Sequence, residues 1–578
     1  MRRIPVSRAY KGVHDLPHKR SITRRTFLGA SAAVLAGAGA HPTRLFGMTN
    51  TILMSARTRR TSPNAWLPEP TPAEQLRSLA LVAMEAAKRA GADFADIRIG
   101  VQRNVSVPRY PYSPHTGLDV GYGVRAWVDG TWSFQHGNLL TTDAVATAAR
   151  GAVAGARTYA RVNAILAAAA GHGGSPTWAP APAVTGEWRA PMELDPFLVP
   201  LDDYHRVLDT LVDTTADIYK NINIGCLALG WQAETRVFAS TEGALVTQYL
   251  LNGGAAVDGS VSLPVTRDDP LGGIPINIPL ITPSTRGFEM VLRSDLVSRL
   301  LPGVDDAVRL RELPFRQFRD VGRFPVVLHG TTAADLLGNV VSSALDGDRV
   351  SGLEADAAGT SYLTPWEEIL GATTPPFSPL LTMTAGRAMP SPMAVGWDDD
   401  GVVPESYSLI EHGRVVDYHT TRETAPMLAS WYERQGRPMR SHGSCVATTP
   451  DQLPMGSGGH VTVTPALGHA SLDDLAREMT HGFIVFRGST EPEPGLSAGR
   501  LGVTHAVEVQ RGVPVAWTGL DLLFRSKPLL QKQLLALGDA ETVRTVGLGV
   551  MKGIPWQGVS QFVTAPAMLC KDLDVVML

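Results

Sequence analysis

The stretch that decides the reading is Gly401–Ala425, GVVPESYSLIEHGRVVDYHTTRETA. SYSLIE and RVVDYH alternate apolar with polar residues, the period of a half-buried strand. His412–Gly413 between them supplies a turn, so the segment is expected to be a β-hairpin that carries His412 and His419 on paired strands. With His442, or with Cys445 in RSHGSC, these two imidazoles form a weak candidate metal set, since zinc accepts nitrogen and sulfur ligands. A turn residue plus an unrelated histidine is the simpler account. A reactive thiol at Cys445 needs a base within reach and a depressed pKa, and sequence neighbours on a loop do not supply these.

Outward from the hairpin, the 578 residues exceed what one core can fill, so several domains are expected. Apolar residues make up 44% and charged residues 19%, a globular balance. A formal net charge of -3, with no basic run interleaved with aromatics, gives no support to a nucleic-acid partner. Three widely spaced cysteines, Cys226, Cys445 and Cys570, make neither a disulfide framework nor a zinc ribbon.

At the N-terminus a basic leader runs into TRRTFLGASAAVLAGAGA, Thr23–Ala40. An arginine pair, a short Gly/Ala-rich apolar stretch and an A-x-A ending resemble a twin-arginine export signal, cleaved near Ala40. The stretch is too short for a stable membrane span. Residues 41–72 read as a linker. Glu74–Ala90 has apolar residues at helical spacing with a Gly91 stop, and DFADIRIGVQR alternates as a strand. A hairpin with an Asp129–Gly130 turn follows, then an Ala-rich helix from Asp143 to Ala170. Residues 73–170 thus form an α+β layer, 171–285 a second α+β segment with a helix around Leu201–Val212, and 286–578 a large strand-rich domain. Asp268–Gly287, DDPLGGIPINIPLITPSTRG, is expected to be a Pro/Gly-rich break.

No H-E-x-x-H, Walker loop or dinucleotide fingerprint occurs. What the chain does show is a resemblance in several blocks. GADFADIRI, GVRAWVDGTWSF, FPVVLHGTTAADLL (Phe324–Leu337), the Gly401–Ala425 hairpin and the tail TAPAMLCKDLDVVML, taken in order, resemble the TldD/PmbA family, the modulator-of-gyrase proteins. The resemblance implies an α+β fold of three parts and metallopeptidase-related function. Its TldD-type members carry H-E-x-x-x-H on a helix and a later Cys as zinc ligands. Its PmbA-type members, also called TldE, lack them and form a heterodimer with a TldD-type subunit that holds the zinc and trims unfolded or leader-bearing peptides.

Carried onto LLGNVVSSALDGDRV (Leu336–Val350), the first His falls on Gly338, the Glu on Asn339 and the second His on Ser343, and the Cys on Met551. None is a zinc ligand or base of the family's kind. Asp346 and Asp348 read as a helix end and turn, and Glu354 and Asp356 as solvated loop charges. The expectation is therefore an exported PmbA-like arm with a degenerate zinc site, no catalytic residue of its own, and extended peptide as substrate. The alternatives are an independently active metal-dependent hydrolase and a peptide-binding scaffold without catalysis.

Overall fold

The computed structural model describes residues 72–109, 113–170, 178–218, 223–262, 273–554 and 556–576. The leader expected at 1–40 and all but the last residue of the linker at 41–72 lie outside the described residues. The fold is α+β, with helices packed on one face of an N-terminal sheet and strand-rich sheets beyond.

Helix α1, Ala73–Ala90, buries Leu76, Leu79, Ala80, Ala83, Met84 and Ala87, the i, i+3, i+4 stripe of an amphipathic helix. Gly91 ends it at φ 82, a left-handed conformation that glycine adopts without a Cβ clash. Strand β1 (Phe94–Pro108) pairs antiparallel with β2 (His115–Val128), and β2 with β3 (Thr131–Gly137) across the Asp129–Gly130 turn, whose residues have φ 48 and 77. Helix α2 covers Thr142–Ala170.

The segment beyond residue 171 adds β4 (Thr185–Arg189), helix α3 (Leu201–Ile218), β5 (Asn223–Ser240), β6 (Leu245–Ser262) and β7 (Gly273–Ser284). These strands join the first three in one seven-stranded sheet, order β3-β2-β1-β5-β6-β4 with β7 on β6. Segments 73–170 and 171–285 thus meet edge to edge, β1 against β5 from Asp96↔Ser240 to Pro108↔Ala228. Part of the expected break at Asp268–Gly287 is instead β7. Its prolines are tolerated because it is an edge strand, paired only to β6, where a missing N–H can face away from the ladder.

The alternation of β1 divides the sheet. Ile97, Ile99 and Val101 pack with α1 and α2, and Val105 and Val107 with α3 and helix α4 (Leu296–Arg311). The other face, Asp96, Arg98 and Gln102, turns to the C-terminal half and is buried there.

That half is built from two six-stranded sheets. One has the order β17-β16-β15-β8-β21-β18, comprising β8 (Gly322–Leu328), β15 (His481–Pro492), β16 (Ala498–Gln510), β17 (Val513–Arg525), β18 (Leu534–Leu537) and β21 (Met568–Val576). The other runs β11-β10-β9-β14-β20-β19: β9 (Met383–Gly386), β10 (Ser406–Glu411), β11 (Arg414–Val415), β14 (His460–Val463), β19 (Arg544–Lys552) and β20 (Gln557–Ala565). The pair β12 (Cys445–Val446) and β13 (Met455–Gly456) stands beside them. One core, including Val326, Val485, Leu520, Val461 and Val563, draws on both sheets, and helix α5 (Gly330–Leu337) with its continuation to Leu345 is part of it.

Candidate functional site

The segment that the resemblance singles out is a single helical run whose pitch changes. His329 caps it, its Nδ1 accepting the Thr331 N–H at 3.4 Å. Gly330 is required because a Cβ there would collide with the Thr542 carbonyl oxygen and sit 3.0 Å from that of Ala565. After Leu337 the α-helix widens into a π turn, Gly338–Ser342, then tightens to a 3-10 turn, Ser343–Leu345. A π turn places residues five apart on one face, and the Ser343 hydroxyl accordingly donates to the Gly338 carbonyl at 3.0 Å. Positions 338 and 343 are therefore neighbours.

The side chains at those positions do not fit a zinc ion. Gly338 has none, and a Cβ added to it would overlap Leu548 Cδ1 and approach Val563 Cγ2 to 2.8 Å. The Gln561 amide fills the remaining space, donating to the Gly338 carbonyl at 3.4 Å and accepting from the Ser342 hydroxyl at 3.0 Å. Asn339 Nδ2 donates to the Asp335 carbonyl at 2.9 Å, and the Ser343 hydroxyl is committed to Gly338. A glycine, an amide and a hydroxyl supply neither the imidazole nor the thiolate that zinc prefers. Met551 is not brought here: its Sδ lies 3.8 Å from where a Cβ on Gly558 would be. The β19 residue against Gly338 is Leu548. Met551 is three positions further along, and an odd offset along a strand puts side chains on opposite faces.

The histidines divide into three environments. His412 is the turn residue itself, exposed at φ 48, with Gly413 at φ 80, so it is not on a paired strand with His419. His419 is buried, with Nδ1 2.7 Å from the Tyr407 hydroxyl and Nε2 3.2 Å from the Ser342 hydroxyl. Burial, helped by the positive charges of His442 and Lys552, pushes its pKa down to about 3, so the ring is neutral at ordinary pH. His442 is buried too, but Nδ1 is 2.6 Å from Glu405 and Nε2 is 3.1 Å from Asp417. Burial alone would lower its pKa; hydrogen bonds to the two carboxylates outweigh that and raise it. Tyr407 stands between the two imidazoles, its hydroxyl on His419 and its ring stacked on His442 at 4.0 Å between centroids. Cys445 is buried with its thiol pKa pushed up, by burial first and by Asp400 next, the reverse of an activated nucleophile. Among the described residues no group of three or more His, Cys, Asp or Glu is arranged to hold a metal ion.

Two buried charge clusters escaped sequence reasoning. Lys552 Nζ lies 2.5 Å from Asp346 Oδ2 and 2.9 Å from Asp348 Oδ2, and donates to the Gly456 carbonyl at 2.9 Å. The D-G-D run is thus a turn, with Asp346 capping the helix at Gly347–Val350, and also an ion-pair site. Glu354 is no solvated loop charge: it is 3% exposed and accepts the Gly553 N–H at 3.0 Å, whereas Asp356 is exposed. The second cluster joins the seven-stranded sheet to the loop Asp398–Asp400. Arg125 meets Asp96 and Asp400 (2.7 Å), and Arg236 meets Glu234 and Asp399 (both 2.6 Å). A run of three aspartates next to Trp397 was the visible signal; its arginines lie far off in sequence.

Residues 321–514 match the family model described as the PmbA/TldA metallopeptidase C-terminal domain. Three solved structures share the fold over 87% of this chain. A protein from Bacteroides thetaiotaomicron described as a candidate modulator of DNA gyrase is 14% identical, with a TM-score of 0.60 over 99% of its length. TldE from Thermococcus kodakarensis is 15% identical, with a TM-score of 0.59 over 100% of its length. A second candidate gyrase modulator, from Thermotoga maritima, is 12% identical, with a TM-score of 0.59 over 100% of its length. No curated protein matches the sequence at a significant level. Over residues 321–514 the chain is similar to the PmbA/TldA metallopeptidase C-terminal domain, and the solved structures share its fold.

Proposed function

We propose that this chain is the non-catalytic arm of a two-subunit zinc peptidase. In this reading it pairs with a TldD-type subunit bearing H-E-x-x-x-H, helps to hold extended peptide, and leaves the zinc and the bond cleavage to its partner. One observation carries the reading. The π turn sets positions 338 and 343 side by side, as a two-ligand helix needs, yet they hold glycine and serine with Leu548 and Gln561 packed into the space. Similarity to TldE in fold is in keeping with it. Export through the twin-arginine route, with cleavage near Ala40, is part of the proposal.

The test is affinity purification of the full chain from its native compartment, with mass spectrometry and zinc content measured on one sample. The expected result is a co-purifying homologue with H-E-x-x-x-H and one zinc per pair, and none on this chain alone. Stoichiometric zinc on the isolated chain, lost together with peptidase activity in His419→Ala, would show a self-sufficient hydrolase instead. Recovery of no such homologue would leave a scaffold.

A further inference from the structure

We infer that the metal position has been closed by an exchange of volume across the helix–strand contact, Leu548 on β19 occupying the space that a side chain at 338 would need. The inference rests on reading the π turn as a lost ligand helix. Loss of ligands alone would leave a polar cavity, open to water or to an adventitious ion. Here the cavity is gone. Leu548 and Val563 are 3% and 0% exposed, and both lie within contact range of the missing Cβ at 338. Gln561 satisfies the polar edge by bridging Ser342 and the Gly338 carbonyl, so no buried donor or acceptor is left open by the replacement. The two positions now constrain each other: a larger residue at 338 needs a smaller one at 548. Leu548 is also the strand side chain aimed at this space, which makes it the position where a thiolate could meet ligands at 338 and 343.

The exchange is tested on the isolated full chain, with no partner and no peptidase assay, so its outcome is separate from whether a partner is ever recovered. Gly338→Ala is expected to melt several degrees below the parent, and Gly338→Ala/Leu548→Ala to regain at least half of that loss. Gly338→His/Ser343→His/Leu548→Cys is expected to retain one zinc per chain after dialysis, where Gly338→His/Ser343→His retains none. Melting of Gly338→Ala/Leu548→Ala below both single variants would overturn the inference through stability alone, without requiring the zinc variants to fold. Zinc retained by Gly338→His/Ser343→His with Leu548 in place would overturn it as well.

Discussion

The Tyr407 hydroxyl lies 2.7 Å from His419 Nδ1 and so fixes a buried, neutral imidazole beside the helical run. The ring's other nitrogen is held by Ser342, so both of its hydrogen-bonding sites are satisfied inside the protein.

Its titration sets an acid limb to stability. The folded pKa, about 3, is below the ordinary 6.5, so the unfolded chain binds more protons between those values. Stability contributed by the neutral ring is complete above about pH 6.5 and falls by about 1.4 kcal/mol per pH unit as the pH drops toward 3. His442 acts with the opposite sign. Its folded pKa is raised, so its stabilisation is complete below the unfolded pKa and is lost as the pH rises through the folded one. Urea midpoints measured from pH 4 to 9 are expected to show a shallower acid limb in His419→Gln and a flatter alkaline limb in His442→Gln.

Removing Asp399 leaves Arg236 with Glu234 as its remaining ion-pair partner and takes away a negative charge that faces Arg98 and Arg387. Breaking a buried pair on one side strands an uncompensated charge, and Asp399→Ala is expected to cost about 3–5 kcal/mol in urea unfolding. Asp399→Asn should cost less, because an amide oxygen still accepts the Ala447 N–H, which donates to Asp399 at 2.8 Å.

Lys552→Met strands Asp346 and Asp348 in the interior, again at about 3–5 kcal/mol near pH 7. Burial already raises the Asp346 carboxyl to about 6 against the pull of Lys552, so without the ammonium Asp346 takes up a proton more readily. The deficit relative to the parent should therefore shrink as the pH falls from 7 to 5. A deficit independent of pH in the same unfolding series would mean that Lys552 acts through packing alone.

The local elements were legible where short-range chemistry decides them. EQLRSLALVAMEAAKRA with Gly91, and Asp129–Gly130, carry their own periodicity, stop and turn. His412–Gly413 did mark a turn, but the hairpin beyond it is short: β11 is only Arg414–Val415, and His419 lies past its end. The site was half legible. The ligand positions on the helix follow from one continuous stretch, whereas the residue facing Gly338 depends on β19 register, some two hundred residues away, where a shift of three reverses the face. For the same reason the partners of Asp398–Asp400 could not be read: they are single arginines on β2 and β5, chosen by sheet order rather than by neighbourhood in sequence.

The join of β1 to β5 also sets a clock. Asp96 and its partner Ser240 are 144 positions apart (240 − 96), so during synthesis one long margin of β1 must wait for β5 to emerge. At about 5–20 residues per second the wait is roughly 7–30 s, during which an unpaired strand is open to pairing with another chain. Slowed translation through residues 109–240 would lengthen that interval and with it the exposure of the strand margin.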